Sequence, residues 1–565
     1  MKKIIAMVLT LAMVVSMGTA CKKQTSEETG GNDQSATPTE AAGAPTEAAA
    51  TPTEAAAPDP YEILFVHPGD PATDMDVVLN EFYARTKDTL NDKLTFVQAG
   101  WDDIGQKVSM MIQGGEKLDS AFLAQWTAPT IMQAALDEQL LNLDKYFNND
   151  EYPGLKKAFS EEYLSTNKFL GSDGEYHVYG LPFTHSYEGG TYLYYRKDLA
   201  DKYGITLSTP EDVTKFYDEV LTKESGMTPL SYLGSQDMLS GTVGDLFNAA
   251  TPVKHNMSKD GLLAGGVIIK DDGTAYVSRS FVPSNDPEFA KYMDSAEPSK
   301  ADPLWDYKIA KSFYDKKYVS ADILNEKDAQ GQFLAGRAAS YVGTADIYNT
   351  LATQLKTALP DAELGHFAVN NAMRNDIKGQ VDTTFQAWNF AVIPATCKDP
   401  DRVMKFYDWI FSSQENLDLF ELGVEGKHWT AVGADQYKSM TNPDTGNAYN
   451  FGGFLMTWNP TMYRISADIP TDVVDFMKKN SDQEYFYKNI TAGFSFNDEK
   501  VKTEVALIND VVSRKFGVGN GMVADISGEI ASIDKALMKA GWEKYATEFE
   551  TQFNEYLKQH PYEGQ

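Results

Sequence analysis

The sequence predicts an α/β protein of two lobes, each a mainly parallel sheet flanked by helices, and three observations predict it. At 565 residues the chain exceeds a single core, because hydrophobic cores stop growing at roughly 250–300 residues. Between Tyr61 and Ala124, short apolar strands alternate with helices that carry one apolar face, the pattern of an open, mainly parallel sheet. From Gly171 to Ile205, two turn-prone pieces, Ser172-Asp173-Gly174 and Glu188-Gly189-Gly190, bracket short aromatic and β-branched runs. Between them Gly180 to His185 reads as a chain passing from one lobe to the other.

In chain order, residues 1–20 have a basic start (Lys2, Lys3), an apolar run from Ile4 to Val15 and small residues before Cys21. This is a secretion signal, too short to span a membrane. Small residues followed by Cys resemble a bacterial lipobox, with Gly18 where Leu is usual, and predict that Cys21 is acylated. An ordinary signal peptide cut near Ala20 is the alternative. The remainder of residues 21–60 repeats Thr-Pro-Thr-Glu-Ala-Ala, with copies or near-copies from Thr37, Pro45 and Thr51. It has almost no large apolar residues to bury and reads as an extended tether. The only other cysteine is Cys397, so the fold is not built on disulfides. Net charge is −31, or −33 without Lys2 and Lys3. Such an acidic surface repels phosphate backbones and excludes nucleic acid as a partner.

Tyr61 to Val66 is the first strand, and Asp74 is the expected cap of a helix with Met75, Val78, Leu79, Phe82 and Tyr83 on one face. Leu94 to Val97 is a second strand, Ile104 to Ile112 stripe a second helix, and Asp119 to Ala124 form a third strand. Ligands gather at the carboxyl ends of such strands, which places His67, Trp101 and Trp126 at one rim. Beyond the first crossing, Thr209-Pro210-Glu211-Asp212 is a helix start with cap, N1 proline and first-turn acids. Asp271-Asp272-Gly273 turns a hairpin between Val267–Ile269 and Tyr276-Val277. A second crossing is expected at Gln386 to Pro394, a third near Thr491 to Phe496, and Val403, Phe406, Tyr407, Ile410 and Phe411 stripe the helix between them.

Several blocks resemble bacterial extracellular solute-binding proteins of the maltose- or oligosaccharide-binding type, in their Gram-positive lipoprotein branch. They are Tyr179-Gly180-Leu181-Pro182, Tyr194 to Leu199 with Tyr203-Gly204, Gln414-Glu415-Asn416 followed by Gly423 to Trp429, and the tail from Ala540 to Gln552. Together they run from about Tyr61 to Tyr556. The resemblance implies the two-lobed periplasmic-binding-protein-like fold of type II, joined by crossover hinge segments. It implies an oligosaccharide ligand, the permease subunits of an ABC importer as partners, and a lipid-anchored monomer on the outer face of the cytoplasmic membrane. The expected division is 61–183 with about 387–490 for one lobe, and 184–386 with about 491–565 for the other.

No H-E-x-x-H, C-x-x-C, G-x-S-x-G or G-x-x-x-x-G-K-[ST] pattern occurs. The chain is therefore not the transporter's ATPase, and neither cofactor nor metal is expected. His428 reads as a structural histidine. Sugar sites pair a flat aromatic face with hydroxyl acceptors. Trp101, Trp126, Trp388 and Trp458 lie near strand ends or turns and are candidates for stacking or for core, whereas Trp409 and Trp542 sit in helical patterns and read as core. The polar candidates are His67, Gln125, His185, Glu188, Asp346, Gln386, Asn389 and Glu425. An anchored glycoside hydrolase needs only two suitably spaced carboxylates, and the same fold could hold a peptide or another small solute. Both stay open at the level of sequence.

Overall fold

The computed structural model describes residues 58–184, 186–187, 190–249 and 254–562. Cys21, His185 and Glu188 lie outside these residues, as do the signal segment and all but the last three residues of the tether. The strands of the two principal sheets are β1 (Tyr61–Pro68), β2 (Asp92–Ala99), β3 (Ser120–Ala124), β4 (Gly180–Phe183) and β5 (Thr191–Arg196), then β6 (Thr228–Ser231), β7 (Ala338–Thr344), β8 (Leu364–Ala368) and β9 (Asn389–Val392).

The first sheet has the order β2-β1-β3-β9-β4 and the second β8-β5-β7-β6. Each carries one reversed strand, which corrects the mainly parallel expectation. β9 runs antiparallel to β3 and β4, and β5 antiparallel to β7 and β8. These are the first strands after the two crossings, and that is the physical reason. A chain that leaves one sheet at the carboxyl edge enters the facing sheet from its own carboxyl edge, so it must run away from the cleft. Both reversed strands are interior, so two of the four pairings in lobe 1 and two of the three in lobe 2 are antiparallel.

Both sheets are covered on two faces. Along β5, Tyr192 and Tyr194 pack into one core while Leu193 and Tyr195 pack into another, the two-residue alternation of a strand. In lobe 1, Ile63 and Phe65 join the core containing Val403, Phe406, Tyr407 and Ile410, whereas Val66 faces the core of Ile104, Val108 and Ile131. The helix Pro210–Lys223 starts on the expected residues: Thr209 and Asp212 form a reciprocal capping box with Pro210 at N1. The hairpin is present in the expected register, Val267 opposite Val277.

Two expectations about the chain path change. The core to which the chain contributes switches between Met462, in lobe 1, and Ile465, packed with Tyr192 and Tyr194. The third passage therefore falls there, not at Thr491–Phe496. From Ile490 onward the chain builds a separate body around the 267–277 hairpin, whose core holds Trp542, Phe549 and Phe553. Asp74 also departs from its expected role. It precedes the helix Met75–Thr86 in the left-handed region (φ 58) and makes no capping hydrogen bond.

The Asp74 carboxylate instead turns to the 428–447 loop. It accepts Asn442 Nδ2 at 2.7 Å, Asn447 Nδ2 at 2.7 Å and Thr445 Oγ1 at 2.5 Å, and His428 Nε2 lies at 3.2 Å. Val424 N–H donates to His428 Nδ1 at 2.9 Å, which assigns the ring proton to Nε2, facing the carboxylate. These donors hold Asp74 well below the ordinary carboxylate range. His428 is structural, as read from the sequence, and its side-chain partners Asp74 and Asn442 are 354 and 14 residues away in the chain.

Candidate functional site

A cavity of about 810 Å3 lies where the two lobes and the C-terminal body meet, within the usual span of about 300–1,000 Å3 for ligand sites. Its lobe 1 wall follows from the turn after β3. Thr127 Oγ1 accepts Ala124 N–H at 3.2 Å and lies 2.9 and 2.8 Å from the Ala124 and Pro129 carbonyls. That knot ties the turn below and leaves the Trp126 side chain outside it, 46% exposed. Gly105, in the helix Ile104–Gly114 that precedes β3, lets that helix approach the turn, because a Cβ there would meet the Ala128 carbonyl. Trp126 packs against Phe122 and Trp101 at ring distances of 5.9 and 6.1 Å, and Trp101 lies 5.6 Å from Phe454. The result is an aromatic shelf.

The second crossing completes this wall. Phe385 sits at φ 52, strained for a residue with a Cβ. Thr166 Oγ1 and Asn167 Nδ2 donate to its carbonyl at 3.0 and 3.1 Å, and Ala387 N–H donates to Asn167 Oδ1 at 2.8 Å. Asn167 is fully buried. It grips the crossing on both sides of Gln386, which lines the cavity with Trp388, 71% exposed.

The facing wall is polar. Asp245, Asp260 and Asp382 line it, and Asn489 Nδ2 bridges Asp260 and Asp382 at 2.9 and 3.1 Å. Asp245 opens onto the cavity yet is ringed by protein. That enclosure, with the Asp382 charge, pushes its carboxyl up to about 6. Asn480, 2% exposed, also lines the cavity, and its Oδ1 has no hydrogen-bond partner among the described residues. A flat aromatic on one side and hydroxyl acceptors on the other suit a ligand with an apolar face and a rim of hydroxyls.

Of the expected residues, Gln125, Trp126, Gln386 and Trp388 line the cavity, and Trp101 extends the shelf beside it. The remaining described ones are elsewhere. His67 is buried among Phe65, Phe96 and Phe451, where burial pushes its imidazole down to about 4. Asn389 opens β9, paired with Ala124 and Phe183. Asp346 is exposed on the 3-10 turn after β7. Glu425 is exposed in a turn bridged to Trp429. Trp458 packs at the edge of the lobe 1 core against Phe454, beside Glu421. Trp542 is core as expected, donating its indole N–H to the Ser278 carbonyl at 2.9 Å. Sequence reading missed Asp245, Asp382, Asn480 and Asn167. None lies in a motif, and only the fold brings them together.

Two α/β lobes, the first completed by the late strand β9, flanking an aromatic and acidic cavity have the architecture of a two-lobed binding protein. The chain belongs to the bacterial extracellular solute-binding protein family, whose profile matches residues 80–426. Residues 490–558 match a domain of unknown function (DUF3502). The chain is 24% identical over 499 residues to a carbohydrate ABC transporter substrate-binding protein of Streptococcus pneumoniae, covering 87% of this chain and 90% of that one. Among solved structures, the N-glycan transport solute binding protein NgtS of S. pneumoniae superposes with a TM-score of 0.64 at 18% identity, covering 88% of this chain and 99% of the other. An HMO-binding, ABC-transporter-associated solute binding protein of Bifidobacterium longum infantis gives 0.58 at 14% identity, with 88% and 99% covered. Both likenesses show the type II fold expected from the sequence.

Proposed function

We propose that this protein captures an oligosaccharide in the cleft and delivers it to the permease of an ABC importer, anchored to the membrane by acylated Cys21. The observation that carries the sugar reading is the pairing of the Trp126–Trp101 shelf and Trp388 with the Asp245, Asp260 and Asp382 wall across one cavity. The carbohydrate and N-glycan binding named for the similar proteins supports the same ligand class. The signal-like segment, Cys21 and the tether support the anchor. Among the described residues no helix is long and apolar enough to cross a membrane. In this reading the protein is a monomer and turns over no substrate.

Isothermal titration against a panel of neutral oligosaccharides tests the reading, with product analysis of the same mixtures. Saturable one-to-one binding and intact sugars are expected. A panel without binding would refute the ligand class, and protein-dependent release of shorter sugars would establish the hydrolase alternative.

A further inference from the structure

We propose that the segment 490–558, to which no function is attached, is the wall of the cleft that limits ligand length. This rests on the sugar reading of the cavity. The segment folds as a turn followed by the helices Lys502–Val512, Ile526–Ala540 and Trp542–Gln559. Its own core is closed by Trp542, Phe549 and Phe553, each without exposed surface. Among the residues it presents to the cavity are Ser495, Phe496, Asp498, Val505 and Tyr545.

That face is held rigid from behind. The Gln552 amide meets both backbone groups of Asn497, accepting its N–H at 2.9 Å and donating to its carbonyl at 2.8 Å. Tyr556 Oη donates to the Ala492 carbonyl at 2.9 Å. Gly493, at φ 82, leaves room for that hydroxyl, which a Cβ would meet at 2.8 Å. The turn 491–498 is thus fastened to the last helix, and lobe 1 carries the shelf it faces. A linear sugar lying on Trp126 and Trp388 extends until it meets Asp498 and Val505, so the span between shelf and wall sets how many units fit. The helix Lys502–Val512 shows the distinction between wall and exterior. Val505 lines the cavity, whereas Leu507, about 200° further round, is outside it and 53% exposed.

The experiment titrates the wild type, Val505→Trp, Asp498→Trp and Leu507→Trp with linear gluco- and manno-oligosaccharides from disaccharide to hexasaccharide. Filling the wall from either Val505 or Asp498 should weaken the longest sugars about tenfold or more, a loss of ~1.4 kcal/mol. It should leave the shortest bound sugar unchanged, and Leu507→Trp should bind every length as the wild type does. Asp498→Trp alters a turn residue outside the helices, so it reads the wall even if Val505→Trp fails to fold. A wild type that binds while both wall variants keep its length profile, or lose all lengths equally, overturns the wall and leaves the sugar reading standing. A wild type that binds no sugar overturns both.

Discussion

Glu421, the last residue of the helix Gln414–Glu421, offers a quantitative test of how the shelf is supported. Its carboxylate accepts the Thr457 hydroxyl and interacts with Trp458, under the turn that carries Phe454. Burial pushes the carboxyl from its ordinary 4.5 up to about 7, against those hydrogen bonds. A raised carboxyl means that the folded chain keeps its proton while the unfolded chain loses it. Stability is therefore fully present below 4.5, falls as pH rises towards 7, and levels off above. At about 1.4 kcal/mol per pH unit the whole fall is about 3 kcal/mol, most of it between pH 5 and pH 8. Glu421→Gln keeps the shape and cannot ionise. Relative to wild type, the variant should gain about 2–3 kcal/mol on going from about pH 5 to pH 8, measured by urea unfolding at both values. A difference between variant and wild type that is the same at both pH values would refute the reasoning.

Two further outcomes follow from the cleft and the N-terminus. Because Trp126 and Trp388 are 46% and 71% exposed, replacing either by Ala should leave apo stability within about 1 kcal/mol of wild type. The same change should cost roughly 2 kcal/mol in sugar binding, read by titration beside a melt of the apo variant. Lost stability with retained affinity would move that tryptophan from the site to the core. Cys21→Ser should release the protein from the membrane fraction into the medium, and intact-mass analysis of the extracted wild type should show added acyl chains; an unmodified N-terminus would defeat the anchor.

Much of lobe 1 was legible because its signals are local. Alternation and short connections identify β1 to β3 and the helices between them, and in lobe 2 the equally local signal of Thr209 to Asp212 identifies its helix start to the residue. Strand ends pointed to Gln125 and Trp126 for the same reason, since turn residues after a buried strand surface at one rim. What stayed hidden depends on distant partners. Nothing near Asp74 in the chain reveals that its carboxylate serves Asn442 and Asn447 rather than its own helix. His67 shares a rim position with Trp101, yet its ring is turned among Phe65, Phe96 and Phe451. The third passage was misplaced because Thr491–Phe496 has the turn composition of a crossing, and composition does not say which core the flanking residues join.

The late strand β9 carries a consequence for how the molecule comes into being. β9 lies between β3 and β4, so the first lobe cannot close its sheet until residue 392 is available, more than two hundred residues after β4. Until then β3 and β4 are open edges without their shared neighbour, and open edges invite pairing with other chains. Closure over so long a separation is slow. A polypeptide cut after Gln386 would lack β9, the strand that joins β3 to β4, so its first lobe could not complete its sheet. Closure of the first lobe should be a late event, after the strands of the second sheet are all available, and a chain stalled before it is the form that needs a chaperone.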